Sequence, residues 1–405
     1  MASGIRRPSK GEPVVSGGLR RWGRGGGSAA LGLLVVKALW VWGFRVSARE
    51  LLDGGAQEDL MTRRAYLLHR LAFQKGEGDS PAGLPEKFRG EWALGTLSMS
   101  STAMVQMSLT DPEIRAESRD RVAQWIDEAR TPALQRFDTR AWGRSALDTL
   151  AEPEGHLGYL GHLNLLLASH KYLGGDHRFD ALHRRITEAL RAKLERSPVG
   201  VAETYPGEVY VPDVVAAVAS IALYEKAATG DSPFARRWVA KARKRLLDPG
   251  TGALPFSVDL EGRRRQGPRG CGMGWNSYYL GFVDPEFNRE QYDVMKKIFA
   301  GRAGGIVQGI REWPRGVHRG GDVDSGPLIG GLTPSGTGFA IAGAVLNDDR
   351  TFLEELLKTS EWAGFTVQWK GRRRYLTAPL VGDAILLSMK SARPWDTRYL
   401  QRDRR

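Results

Sequence analysis

The apolar positions of this chain fall into a repeat. Five times an apolar stretch of helical length runs into an acidic turn, and a charged amphipathic stretch follows. The turns are Thr110-Asp111-Pro112, Gly175-Asp176-His177, Gly230-Asp231-Ser232, Val283-Asp284-Pro285 and Asn347-Asp348-Asp349. Their aspartates at 111, 176, 231, 284 and 348 are spaced 65, 55, 53 and 64 apart. Each is placed to cap the helix that follows, because its carboxylate can accept a free backbone N–H. A period of this length marks repeated supersecondary units.

The two halves of a unit differ. Stretches before the turn, such as 214–224, are apolar nearly all round and read as helices buried on both sides. Stretches after it, such as 234–247, carry one apolar stripe among basic residues and read as outer helices. The apolar stretches 92–109, 162–173, 214–226, 275–282 and 336–346 supply five inner helices, and 380–390 a sixth. The sixth lacks a following partner, so the amphipathic stretch 57–73 at the other end of the chain is expected to complete it. The prediction is an all-α, (α/α)6 toroid closed head to tail. Strand signals are sparse, with 365–369 expected in a short hairpin.

Composition refines this picture. The chain has 405 residues, is 41% hydrophobic and carries a formal net charge of +13. Part of that charge crowds the termini: Arg6, Arg7, Lys10, Arg20, Arg21 and Arg24 at one end, Arg402, Arg404 and Arg405 at the other. The body instead alternates acids and bases along amphipathic helices, so a nucleic-acid partner is not expected. Cys271 is the single cysteine, which excludes an internal disulfide and a thiolate-based zinc site. Residues 1–28, rich in Gly, Ser, Pro and Arg, are expected to be disordered. Residues 29–44 are apolar apart from Lys37 and follow basic residues, as an anchor or signal does. They are short against the roughly 20 residues of a spanning helix. Residues 29–48 thus read as an anchor or signal-like segment, or else as a packed helix; the catalytic domain follows over 49–395 and a basic tail over 396–405. Membrane association or export is expected over a free cytoplasmic location.

In a closed ring of this kind the inner helices run parallel and their N-terminal ends gather at one mouth. The loops that feed them read Gly158-Tyr-Leu-Gly-His-Leu-Asn164, Glu203-Thr-Tyr-Pro-Gly-Glu-Val-Tyr-Val-Pro-Asp213, Gly270-Cys-Gly-Met-Gly-Trp-Asn-Ser-Tyr-Tyr279 and Gly320-Gly-Asp-Val-Asp-Ser-Gly-Pro327. Each combines glycines with polar or aromatic groups, while the loops at the other end are short acidic turns. That asymmetry marks the functional end.

Gly161-His-Leu-Asn-Leu165, Tyr210 to Asp213 opening an apolar helix, the connectors Gly175-Asp176 and Thr229-Gly230-Asp231, Leu247-Asp-Pro-Gly-Thr-Gly-Ala-Leu254, and Trp275 with Asp284-Pro285 form a series over residues 90–390. In this series the chain resembles the linalool dehydratase/isomerase-like proteins. The resemblance implies an (α/α)6 barrel, in agreement with the hairpin count, and a homo-oligomer with sites shared between chains. It implies that His162 is retained, while Glu203 and Asp213 stand where the founding enzyme has cysteines and Cys271 where it has a tyrosine. Fold and site location therefore carry over better than hydration or isomerisation of linalool.

The candidate catalytic residues are His162, Glu203, Asp213 and Asp324. His162 lies one turn into an apolar helix, as a satisfied core residue or, by the resemblance, as a general acid/base of near-neutral pKa. Asp213 is either the N-cap of the helix beginning at Val214 or one of a carboxylate pair with Glu203, whose own alternative is a surface position; paired carboxylates in a cavity can have their pKa values pushed apart. Asp322 and Asp324 sit in a glycine-rich turn, with only His318 near in sequence, and suit a substrate better than a metal. Tyr205, Tyr210, Trp275, Tyr278 and Tyr279 either pack the core or line the cavity beside Cys271. Such aromatics stack on sugars or shelter a carbocation. No phosphate-cradling loop is present and no cofactor is implied. The leading expectation is a cofactor-independent lyase, isomerase or cyclase acting on a small hydrophobic, isoprenoid-like alcohol or alkene. In it Asp213 or Glu203 protonates the substrate, and His162 or the second carboxylate takes a proton back. The alternatives are a glycosidase-like enzyme on the same toroid and a non-catalytic binding protein. Polar contents at the mouth would favour sugars, and a deep apolar cavity isoprenoids.

Overall fold

The computed structural model describes residues 22–73 and 84–395. The chain divides into two compact units, Met1–Phe44 and Arg45–Arg405. The first contains α1 (Trp22–Phe44), whose Leu33, Val35, Val36, Leu39 and Trp42 are exposed. Among the described residues no helix is long and apolar enough to cross a membrane. Disorder expected for 1–28 is thus replaced by helix from Trp22 onward, while residues 1–21 and the 396–405 tail lie outside the described residues.

The second unit opens with α2 (Ala48–Leu52) and the outer helix α3 (Gln57–Phe73). Inner α4 (Glu86–Ser108) is followed by outer α5 (Arg115–Ala129) and an additional α6 (Pro132–Trp142). Inner α7 (Leu157–Tyr172) pairs with outer α8 (Asp180–Arg196), and inner α9 (Val211–Thr229) with outer α10 (Pro233–Arg245). Inner α11 (Gly270–Val283) pairs with outer α12 (Pro285–Phe299), and inner α13 (Pro334–Leu346) with outer α14 (Arg350–Gly364). Inner α15 (Leu380–Lys390) ends the series. Among the described residues each of these six inner helices packs on the next, and α15 packs on both α4 and α3, so the ring closes. The fold is the (α/α)6 toroid.

The inner helices reach this density by being apolar and small-sided. In α9 every residue from Val214 to Leu223 is buried. A β-carbon on Gly274 of α11 would come within 2.6 Å of the Gly336 carbonyl oxygen in α13, so only glycine permits that approach. Outer helices bury one stripe, as Phe287, Gln291, Tyr292 and Met295 do on α12.

The acidic turns cap as expected at Asp111, Asp176 and Asp284, each of which accepts the N–H two or three residues on. At the other two the cap falls one residue later, on Ser232 and Asp349. Asp231 is spent on the Ser232 N–H and an ion pair with Arg236, and Asp348 takes a left-handed φ of 51°. Strand is less sparse than expected. β1 (Val209–Tyr210), β2 (Ser257–Val258) and β3 (Arg264–Gln266) form an antiparallel sheet; β4 (Ala300–Ala303) pairs with β5 (Val307–Ile310), and β6 (Thr366–Trp369) with β7 (Arg372–Tyr375). All decorate the loops that feed inner helices, and β1–β3 brace the approach to α9.

Candidate active site

Glu91 is the sixth residue of α4, His162 of α7, Trp275 of α11 and Phe339 of α13. These side chains therefore sit at the same depth, one and a half turns below the mouth, where the helix N-termini add positive potential.

The carboxylates carry the site. Glu91 is half-buried, yet its Oε2 is sealed from solvent and has no hydrogen-bond partner. Burial, and then the charges of Asp213 and Asp324, push its carboxyl up to about 8, against the pull of Lys87 and the nearby Tyr205. Asp213 lies in the first turn of α9, not at its N-cap, which is Tyr210. Its Oδ2 accepts from Thr204 Oγ1 at 2.9 Å, so the capping alternative is set aside. Burial pushes Asp213 up to about 7, with the Thr204 bond opposing and Asp324 adding. Asp324 stands at the rim, exposed as a residue, and its carboxyl is pushed up to about 6 by the surrounding protein and by Asp322. Three mutually interacting carboxylates are thus all held above the ordinary carboxylate range, Glu91 the highest.

Basic groups surround them without neutralising them. Lys87, one turn before Glu91, lies 3.5 Å from the Tyr205 ring centroid and 3.7 Å from Glu208. Arg269 is buried; its Nε donates to Glu312 Oε1 at 2.5 Å and an Nη to Asp322 Oδ2 at 2.7 Å. Burial would raise Asp322, but Arg269 and the backbone N–H groups of Ser325 and Asp324 outweigh it and hold that carboxyl low. The Cys271 thiol donates to Glu312 at 3.2 Å and is pushed well up by burial and by that carboxylate, so it stays protonated.

The floor is aromatic. Trp275 meets His162 edge to face at 5.5 Å between ring centroids, and Tyr279 and Phe339 at 5.1 Å each. Its Nε1–H donates to the Pro212 carbonyl at 2.9 Å. His162 Nδ1 is 3.0 Å from Ser98 Oγ. Burial pushes this ring down to about 4, so it is neutral at physiological pH and does not titrate there as the sequence led one to expect.

Of the residues singled out from sequence, Asp213, Asp324, Tyr205 and Tyr210 are electrostatically linked around Glu91, with Asp322 and Cys271 on the Arg269 side. Tyr205 is buried with its hydroxyl beside Glu91. Glu203 departs from the group: its Oε1 accepts the Gly207 N–H at 2.8 Å and closes its own loop's turn. Tyr278 also turns away, its hydroxyl donating to Gln106 Oε1 at 3.0 Å among the inner helices. Among the described residues no cluster of three or more His, Cys, Asp and Glu could hold a metal ion.

Glu91, Lys87, Arg269 and Glu312 were not foreseen. Glu91 had a signal, since it immediately precedes the apolar stretch that begins at 92, in the register that His162 holds on the next inner helix. Glu312 had none, because its place is set by the β5 hairpin folding back on Gly270, whose N–H donates to the Glu312 carbonyl at 2.9 Å.

No family model matches the chain. Solved structures similar to it include a glycoside hydrolase from family 105 of C. acetobutylicum (TM-score 0.49, 14% identity, 74% of this chain and 93% of that one). Another is the unsaturated glucuronyl hydrolase of Bacillus sp. GL1, responsible for the degradation of glycosaminoglycan (TM-score 0.49, 14% identity, 82% of this chain and 95% of that one).

Proposed function

We propose that this chain is an acid–base enzyme acting on carbohydrate, a glycoside hydrolase whose proton is held at Glu91 or Asp213. The observation that carries the reading is the set of three interacting carboxylates with titrations near 8, 7 and 6. Near pH 7 Glu91 keeps its proton while Asp324 is largely ionised, which is the division of labour glycoside hydrolysis needs. The protonated carboxyl gives its proton to the glycosidic oxygen as the C–O bond breaks. Water adds at the sugar carbon, and its proton goes to an ionised carboxylate. Lys87 and Asp322, which remain solvent-accessible beside these carboxylates, supply hydrogen bonds suited to hydroxyl groups.

A second reading, a lyase or isomerase on a hydrophobic alcohol or alkene, is favoured by the floor of Trp275, Tyr279 and Phe339. The same acids would protonate that substrate, and the rings would stabilise the cation. One panel separates the readings: aryl glycosides, an unsaturated glucuronyl oligosaccharide, and isoprenoid alcohols, with product followed by mass spectrometry. Sugar release is expected; turnover of the alcohols alone would replace the first reading with the second. On the active substrate Asp213→Asn should lose about 10²–10⁴-fold in turnover, the usual cost of a positioned acid or base. Near-wild-type turnover in that variant would remove Asp213 and leave Glu91 as the donor.

A further inference from the structure

Behind the carboxylates lies a second buried acid–base pair that the proposed chemistry does not use. His156, just before α7, has φ 51° and ψ 28°. This left-handed conformation is unusual for a residue with a β-carbon and persists only where surroundings impose it. The ring is fully buried, with Nδ1 2.7 Å from Asp138 Oδ2 of α6 and Nε2 3.2 Å from Thr149 Oγ1. Trp142 covers it, 4.5 Å between ring centroids.

The backbone on either side of His156 grips the loop that touches the site. Leu157 N–H donates to the Glu203 carbonyl at 3.2 Å. A β-carbon on Gly155 would lie 1.9 Å from that same oxygen, and one on Gly158 3.1 Å from Thr204 Cγ2. The next two residues of the loop are Thr204, which donates to Asp213, and Tyr205, whose hydroxyl lies near Glu91. From the other side, Phe137, adjacent to Asp138, would be 2.8 Å from a β-carbon on Gly90, the neighbour of Glu91.

We propose that the Asp138–His156 pair is a positioning device for the candidate active site, holding the 155–158 backbone against residues 203–205 so that Thr204 and Tyr205 meet Asp213 and Glu91. The proposal rests on reading those carboxylates as the proton-handling groups. The bond to Asp138 fixes the ring's orientation, and the ring in turn fixes the strained backbone.

The test needs no substrate. In the full chain labelled with ¹³C-carboxyl aspartate, the Asp213 signal is assigned by its loss in Asp213→Asn and titrated with pH. His156→Gly keeps the left-handed backbone accessible and removes the ring. Its Asp213 midpoint should fall by at least one unit as water reaches the loosened loop, and Asp138→Ala should do the same. Asp138→Asn, whose amide can still accept from or donate to Nδ1, should titrate close to wild type. His183→Gln, at a comparably buried histidine of the outer layer, should lower Tm without moving the midpoint. An unmoved midpoint in folded His156→Gly, or an equal shift in His183→Gln, would overturn the proposal. If Asp138→Ala does not fold, His156→Gly decides. Failure of every substrate in the panel beside a shifted midpoint would sink the hydrolase reading and leave the positioning role standing.

Discussion

A carboxyl whose pKa rises on folding behaves oppositely to a surface aspartate. Glu91, Asp213 and Asp324 all bind protons more tightly in the fold than in the open chain, where carboxyls titrate near 4. Their contribution to stability is therefore fully present below about pH 4 and is lost as pH rises through the folded values, near 6 to 8. Glu91→Gln removes the group that must be ionised at the greatest cost. The difference in Tm between this variant and wild type should move in favour of the variant between pH 5 and pH 9; a constant offset would show that Glu91 is not raised. The same groups set the rate. kcat/KM should climb as Asp324 ionises near pH 6 and fall as Glu91 loses its proton near pH 8. A profile flat between pH 5 and 9 would separate these carboxylates from catalysis. At this scale sequence reading was uneven. Asp213 and Asp324 were legible because loops rich in glycine and proline deliver them to helix ends. Glu203 looked equivalent on composition, but a turn of four residues let its carboxylate reach its own loop's N–H. Glu91 is harder to read, because a charge at the edge of an apolar run marks the boundary of the helix rather than part of it.

Helices are where the sequence speaks most clearly. A stretch buried on both sides admits few residue types, so 336–346 lies within α13 and 380–390 coincides with α15. The apolar run starts five or six residues inside α4, α7 and α11, because polar and glycine residues at the mouth break it while the backbone continues as helix. Apart from the hairpin expected at 365–369, which is β6 with β7, the small sheets are illegible for a related reason: strands of two to four residues have no periodicity to read. The element still without an assigned role is α1. Val35, Leu39 and Trp42, at intervals of four and three, share one face and are exposed. Lys37 lies off that face, and the preceding sequence is basic. We propose that this face lies on an anionic bilayer in the manner of an interfacial helix. Sedimentation of the full chain with phosphatidylserine-containing vesicles should carry most of it down, and a chain beginning at Arg45 should stay in the supernatant. That cut follows the division between the units and spares Ser47, whose side chain and Glu50 form the capping box of α2. Equal sedimentation of the two chains would remove α1 as a membrane element.

At the scale of the whole molecule, the ring is closed by residues nearly as far apart in sequence as the unit allows. Asp59 of α3 is 1% exposed as a side chain and accepts from Arg63 at 2.9 Å, Arg373 at 2.9 Å and Lys390 of α15 at 3.0 Å. Arg63 also reaches Glu361 of α14 at 3.2 Å. One acid thus holds three cations that come from the start and the end of the toroid. Burial alone would raise its pKa, but Arg63 and Lys390 outweigh burial and hold the carboxyl well below its usual range. Its contribution is consequently present above the open-chain value near 4 and is lost as pH falls below it, the reverse of the site carboxylates. Asp59→Asn keeps the shape but leaves the buried Arg63 and Lys390 and the half-buried Arg373 facing an amide, and removing one partner of a buried pair costs about 3–5 kcal/mol. Urea unfolding at pH 7 should show a loss of that size, and the loss should shrink at pH 3, where the wild-type network weakens too. The variant's Asp213 should still titrate as in wild type, because closure of the ring and tuning of its mouth rest on different residues. A pH-independent loss would reassign Asp59 to packing, and a shifted Asp213 would mean that the seam and the mouth are mechanically one.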